Sequence, residues 1–269
     1  MLFNELGRSV PSENCRVFSD IPKEFYKTNP INVDYANQHR LALENGLISD
    51  DVIVSDIETG LGDIVDMINA SSDHKNLFIG PAIPFSFSMP KAGQDLGAQL
   101  ESFWLPLLKD NYEQQGADRY FKATLQGNTK LEQSVKIAVG SGYDLFLEKC
   151  TSSTVVGYYF PTVFQEFDIQ SQRSRSAEIK GVTGLEMCLS GPFEIIYSLI
   201  SYPDFLVNSE SYSPILCASA LEHIDPRMVL MFKSYGPHLE FWLMTQMLTP
   251  TKTQVSEQWS GGLTIYKTI

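Results

Sequence analysis

Apolar residues recur at helical spacing along some stretches of the chain and alternate along others. Tyr35, His39, Ala42 and Leu43 fall near one face of a helix that Asp34 can cap and Asn45-Gly46 can stop. Leu61, Ile64, Val65 and Ile68 stand at i, i+3, i+4 and i+7, with Asp63, Asp66 and Asn69 opposite them, which predicts an amphipathic helix. The short apolar runs in DDVIVSD (50–56) and NLFIG (76–80) predict buried strands. A stripe of Leu96, Leu100, Phe103, Trp104, Leu107 and Leu108 predicts a helix over 94–115, which Pro106 should kink or divide. RYFKATLQ (119–126) alternates as a strand does. From 129 a second helix is expected, with Leu131, Val135, Val139, Tyr143 and Leu147 four apart and with Gly140 and Gly142 attributed to close packing.

After residue 150 aromatic alternation dominates. Val163, Gln165, Phe167 and Ile169 point one way, and Phe164, Glu166 and Asp168 the other. Strand-like segments recur at 185–189, 192–200, 227–234, 239–248 and 262–268, and a helix is expected at 213–223 with Pro214 in its first turn. Gly-Pro precedes three β-rich runs, IGPAIPFSFSM, SGPFEIIYSLI and YGPHLEFWLM, the last after a hairpin turn at KSYGP. Residues 1–30 carry Pro11, Pro22 and Pro30 and little periodicity, so they form an irregular arm. The expected fold class is α+β, a single domain over 1–269 with a mixed or antiparallel sheet and helices packed on one face. Helix and strand alternate in its front half, and its back half is strand-rich.

Charge narrows the choice of partners. The net charge is −12, and residues 50–73 contain seven acids and no base. The basic footprint of a phosphate-backbone binder is missing, so a nucleic-acid partner is not expected. SQRSRS, with Arg173, Arg175 and nearby Lys180, reads as a solvated loop between strands. Cys15, Cys150, Cys188 and Cys217 are far apart and lack zinc spacing. With no basic-then-apolar leader at the N-terminus and no apolar run near 18–20 residues, a cytoplasmic chain without a membrane span is expected.

Two constellations carry candidate chemistry. In LEHIDPRMVLMFKSYGPHLEFW (221–242), His223 and Asp225 precede a hairpin. His238 and Glu240 share one face of its second strand with Trp242 and Gln246, while Leu239, Phe241, Leu243 and Met247 take the other. These two histidines and two carboxylates are a candidate divalent-metal set. VIVSDIETGLGDIVDMI (52–68) resembles the first motif of the DEDD-type 3′–5′ exonucleases, and AVGSGYDLFL (138–147) is faintly similar to their second. That resemblance implies that Asp56, Glu58 and Asp144 hold catalytic metals. The family's closing His or Tyr with Asp is not found. Nucleophile-elbow, Walker, HExxH and dinucleotide fingerprints are also missing, so no cofactor is implied.

The remaining signal is an aromatic surplus, from which Tyr158, Phe164, Tyr197 and Trp242 are the candidate ligand-binding residues. The expected function is a module that binds a small apolar ligand or a protein partner through its C-terminal half. The alternative is a metal-dependent hydrolase using the 223–240 set or the Asp56/Glu58 pair.

Overall fold

The computed structural model describes residues 1–19, 21–89, 95–125, 130–208, 210–245, 248–249, 252–253 and 255–269. Helices are α1 (Tyr35–Glu44), α2 (Val54–Asn69), α3 (Leu96–Gln99), α4 (Leu105–Glu113), α5 (Tyr143–Ser152), α6 (Ile169–Thr183) and α7 (Pro192–Ser201). In the front half the strands are β1 (Ile83–Phe87), β2 (Tyr120–Thr124) and β3 (Val135–Ile137). The back half adds β4 (Val155–Gln165), β5 (Met187–Leu189), β6 (Ile215–Cys217), β7 (Leu221–His223), β8 (Met228–Tyr235) and β9 (His238–Thr245). Short strands β10 (Leu248–Thr249) and β11 (Lys252–Thr253) precede the long β12 (Trp259–Thr268). The class is α+β.

The sheet is mixed, in the order β1-β4-β12-β6-β8-β9-β2, with β5 also paired to β12. The β12–β6 and β9–β2 pairs are parallel, and the other pairs in the sheet are antiparallel. Two small antiparallel ribbons, β3–β7 and β10–β11, stand apart from it. Helix α2 lies on the Val156 side of β4, where a Cβ at Gly60 would come within 2.6 Å of Val156 Cγ2. The opposite side carries α5 and α7: Tyr197 packs on Phe85 and Phe87, and Phe146 on Tyr266. One contiguous apolar cluster joins residues from Phe3 to Tyr266.

Local signals explain α1, in which the Asp34 side chain accepts from Asn37 N–H and Gly46 takes φ 65°. Several segments depart from expectation. DDVIVSD holds no strand: α2 starts at Val54, and Asp56 in its first turn accepts from Ile53 N–H. NLFIG is a 3₁₀ turn over Leu77–Ile79. The 94–115 helix is divided, as Pro106 demands. A π-turn over Leu100–Trp104 lets Leu105 N–H reach Leu100 O, which places Pro106 in the first turn of α4, where its missing N–H is harmless.

The helix expected from 129 is instead β3 followed by α5. Gly140 (φ 79°) and Gly142 (φ 72°) are there for left-handed backbone rather than for packing alone. β4 ends at Gln165, because Glu166 adopts φ 71° and Asp168 caps α6 through Ser171 N–H at 2.7 Å. SQRSRS therefore lies in a helix. Arg173 donates to Ser219 O and Leu221 O, and Arg175 to Ser9 Oγ. Segment 192–200 is α7, which is buried on every side and so carries apolar residues around its circumference, with Glu194 and Ser198 as buried polar exceptions. Segment 213–223 holds β6 and β7 in place of a helix. Gln126, at the end of RYFKATLQ, and Gln246 and Met247 lie outside the described residues.

The arm over 1–30 is irregular yet tied down. Isolated bridges join Phe3 to Ser9, Val17 to Phe167 and Tyr26 to Tyr212, and Phe18 N–H donates to Glu166 O. Its position matters because it builds one wall of the cleft described next.

Candidate functional site

The structure does not gather the four candidate metal ligands. Asp225 precedes the Met228 end of β8, while His238 pairs with Tyr235 at the other end, roughly 23 Å of strand away. His223 is buried in β7, where its Nδ1 accepts from Asp225 N–H at 3.0 Å. His238 is exposed, with its ring 5.7 Å from that of Tyr120, and Glu240 accepts from Trp242 Nε1. Among the described residues no group of three or more His, Cys, Asp or Glu is placed to hold a metal ion.

Asp225 is committed to Arg227, 2.6 Å away, whose hydrogen bonds pull the carboxyl down to about 2. Arg227→Gln should return the Asp225 pKa toward the ordinary value of about 3.9. A carboxyl-detected NMR titration reads this directly, and an unchanged value would mean that the pair does not form in solution.

Asp56 and Glu58 are exposed on α2, one turn into a helix rather than at a strand end, and Asp144 is exposed in the first turn of α5. The four aromatic candidates are also dispersed. Tyr158 packs on Phe78 and Phe160, on the α2 side of β4. Tyr197 lies on the α7 side, and Phe164 packs against Phe167. Trp242 sits on β9 with Lys233 Nζ 5.9 Å from its ring centre.

A buried polar cluster binds α5, α7 and β12 together. Tyr143 OH donates to Glu194 Oε2 at 2.5 Å, and Thr264 Oγ1 donates to Glu194 Oε1 at 2.8 Å. Ser190 Oγ lies 2.7 Å from Thr264 Oγ1. Burial pushes the Glu194 carboxyl up, and these hydrogen bonds offset only part of that push. The same burial, with Glu194 beside it, drives the Tyr143 phenol well above its usual range. Glu194 is wholly covered, so the cluster acts as an internal tie between elements.

The accessible chemistry lies elsewhere, in an open cleft of about 600 Å³. Its walls come from separate stretches of the chain: Tyr26 of the arm, Leu206 and Asn208 with residues 210–213, the β8–β9 turn from Lys233 to Gly236, and Gln258. The arm is registered against the second wall by the bridge between Tyr26 and Tyr212 and by Lys27 N–H donating to Tyr212 O at 2.9 Å. Phe25 stacks on Tyr212 with ring centres 5.3 Å apart and planes at 25°. Asn208 Oδ1 accepts from Glu210 N–H and Ser211 N–H, which shapes the loop. On the third wall Gly236 turns the hairpin at φ 60°, and Lys233 Nζ sits 4.5 Å over the Tyr235 ring.

Tyr212 is 66% exposed and Tyr235 48% exposed, whereas Tyr26 is buried and donates its hydroxyl to Glu257. The lining therefore combines two accessible aromatic faces with Ser211, Ser213, Ser234 and Gln258.

Sequence pattern did not single out these tyrosines, because aromatic periodicity finds rings on element faces. The signal that could have found them is composition. Tyr212 lies in the polar run NSESYSP and Tyr235 in KSYGP, where no apolar neighbours explain a ring. Comparisons with models of protein families, with curated proteins and with solved structures find no match to this chain.

Proposed function

We propose that the chain is a binding module whose ligand occupies the cleft between Tyr26, Tyr212 and Tyr235. The observation that carries this reading is the pair of exposed tyrosine rings held in place at a concave site, one by stacking on Phe25 and one by Lys233. Ordered tyrosines give large contact area at low entropic loss, and serine and asparagine add adaptable hydrogen bonds. The volume of about 600 Å³ falls within the range of small-molecule sites, which favours a small ligand over a flat protein partner. Because most of the lining side chains are polar, the ligand is amphipathic, with one apolar face and several hydroxyl or amide groups, rather than wholly apolar.

The test is a thermal-shift and calorimetric screen of saccharides, nucleosides and aromatic amides against the whole protein, repeated on Tyr212→Ala and Tyr235→Ala. A ligand from this panel should lose about 30-fold in affinity with either substitution, as expected for an aromatic anchor worth about 2 kcal/mol. Both changes fall on exposed side chains, so the melting temperature should stay near that of the parent. Equal affinity in parent and variants would place the ligand elsewhere, and a panel without a binder would remove the support for a small-molecule site.

A further inference from the structure

A second open hollow, of about 660 Å³, adjoins the tyrosine cleft. Asn208, Glu210, Ser211 and Tyr212 line both, so the two are continuous along this short stretch of chain. The other wall of the second hollow is the arm, with Phe25 and Thr28 among its lining side chains. Phe25 is 55% exposed, so the groove formed by the two hollows carries three accessible rings, Tyr235, Tyr212 and Phe25. Either hollow alone has the size of a small-molecule site. A ligand that meets all three rings occupies both and is longer than such sites, of roughly 300–1,000 Å³, accommodate.

The groups left accessible in the groove identify the chemistry of that ligand. Main chain along the shared wall is already paired: Lys27 N–H donates to Tyr212 O and Asn29 N–H to Phe205 O, both at 2.9 Å. Those groups are therefore not open to an extended peptide adding as a strand. The Asn208 amide is committed to Ser211, and that of Asn29 to Asp204 O and Val207 O. In contrast, the Glu210 carboxylate and the Thr28, Tyr212 and Ser213 hydroxyls make no hydrogen bond to a described residue, and all four residues reach solvent. Charge along the groove is balanced, with Lys27 and Lys233 against Glu24 and Glu210. This lining suits a neutral ligand that has flat apolar faces and hydroxyls able to donate and accept. A pyranose has both: its C–H face stacks on an aromatic ring, and two neighbouring hydroxyls can donate to one carboxylate. We propose that the groove binds a neutral oligosaccharide, with sugar rings against Tyr235 and Tyr212 in the first hollow and against Phe25 in the second, and with Glu210 accepting from a pair of hydroxyls. This inference rests on the tyrosine cleft being the ligand site, and it extends that site to a chain of several rings.

Isothermal titration of the whole protein with cello-, malto- and chito-oligosaccharides of two to six units, and separately with a set of unstructured decapeptides, tests it. One sugar series should bind, with affinity rising about tenfold or more from the dimer to the pentamer, because contacts in the second hollow are added to a chain already held in the first. Phe25→Ala, on an exposed side chain, should bring the ratio of pentamer to dimer affinity near one. Glu210→Gln should weaken the pentamer about tenfold, as expected for a charge-assisted hydrogen-bond pair. The proposal is overturned if no series binds, if affinity does not depend on length, if Phe25→Ala leaves the ratio unchanged, or if the peptides bind more tightly than the sugars. A single-ring ligand that is lost on Tyr235→Ala, with no gain from added units, would leave the tyrosine cleft standing and overturn only its extension.

Discussion

Glu194→Gln should make the protein progressively more stable than its parent as pH rises from about 5 to 8. Glu194 is fully buried, and that burial raises its carboxyl above the ordinary range, against the lowering pull of Tyr143, Thr264 and Gly191 N–H. The folded state then holds a proton that the unfolded chain releases near pH 4.3. The stabilising contribution of the protonated form is complete below that value and is lost as pH rises through the folded pKa. The loss runs at up to about 1.4 kcal/mol per pH unit.

Glutamine has no proton to lose, keeps an oxygen for Thr264 and can offer its amide N–H to the Tyr143 oxygen. Alanine at the same position leaves Tyr143 OH and Gly191 N–H without this acceptor, with only Ser190 Oγ remaining for Thr264 Oγ1, and should destabilise by about 3 kcal/mol. Urea melts of parent and both variants at pH 5 and pH 8 check this. Glu166, whose carboxyl burial also raises, adds its own pH slope, but it is common to all three proteins and cancels in the difference. If parent and Glu194→Gln lose stability in parallel, Glu194 is ionised in the fold and the account fails.

Gly157→Ala should destabilise by about 3 kcal/mol, the upper end for overpacking a core, and lower Tm by about 6–12 °C. Gly157 is interior to β4, and a Cβ there would lie 2.4 Å from Ile265 O and 2.6 Å from Phe85 Cζ. The ring of Phe85 can shift, but Ile265 O belongs to the backbone of β12, which pairs with β4 along most of its length. The double change Gly157→Ala with Phe85→Ala should therefore recover only part of the loss expected from adding the single effects, since removing the ring leaves the carbonyl clash in place. Full recovery in chemical denaturation would assign the tight spot to the ring alone.

The sequence made some elements legible and hid others for identifiable reasons. The caps of α1 and the Gly236-Pro237 hairpin are local signals, and their segments formed as read. So did the interruption at Pro106, since a missing N–H acts wherever the chain goes. Helix α7 was illegible because periodicity needs a polar side. Phe193, Ile195, Ile196, Leu199 and Ile200 are all buried, so they read as a strand. The useful clues there were Pro192 at the first helical position and Glu194 reaching back to Gly191 N–H. Between 129 and 147 a four-residue recurrence masked two left-handed glycines, and φ is not visible in a hydropathy pattern.

The candidate site was less legible still. Its walls come from Tyr26, from Leu206, Asn208 and residues 210–213, from 233–236 and from Gln258, which meet only after the arm docks beside Tyr212. The aromatics that sequence did highlight are distributed to both sides of the sheet. The histidine pair was separated by the full length of β8, a spacing that only register reveals.

Strand β12 lies in the interior of the sheet, between β4 on one edge and β5 and β6 on the other, yet it follows β4 by about 90 residues. During synthesis at about 5–20 residues per second, β4 waits on the order of 5–20 s for this partner. Over that interval an apolar strand rich in Val, Tyr and Phe exposes an open hydrogen-bonding edge on the ribosome-bound chain. A chain ending shortly before residue 259 is therefore expected to aggregate more readily than the whole protein, because β4 keeps that edge open.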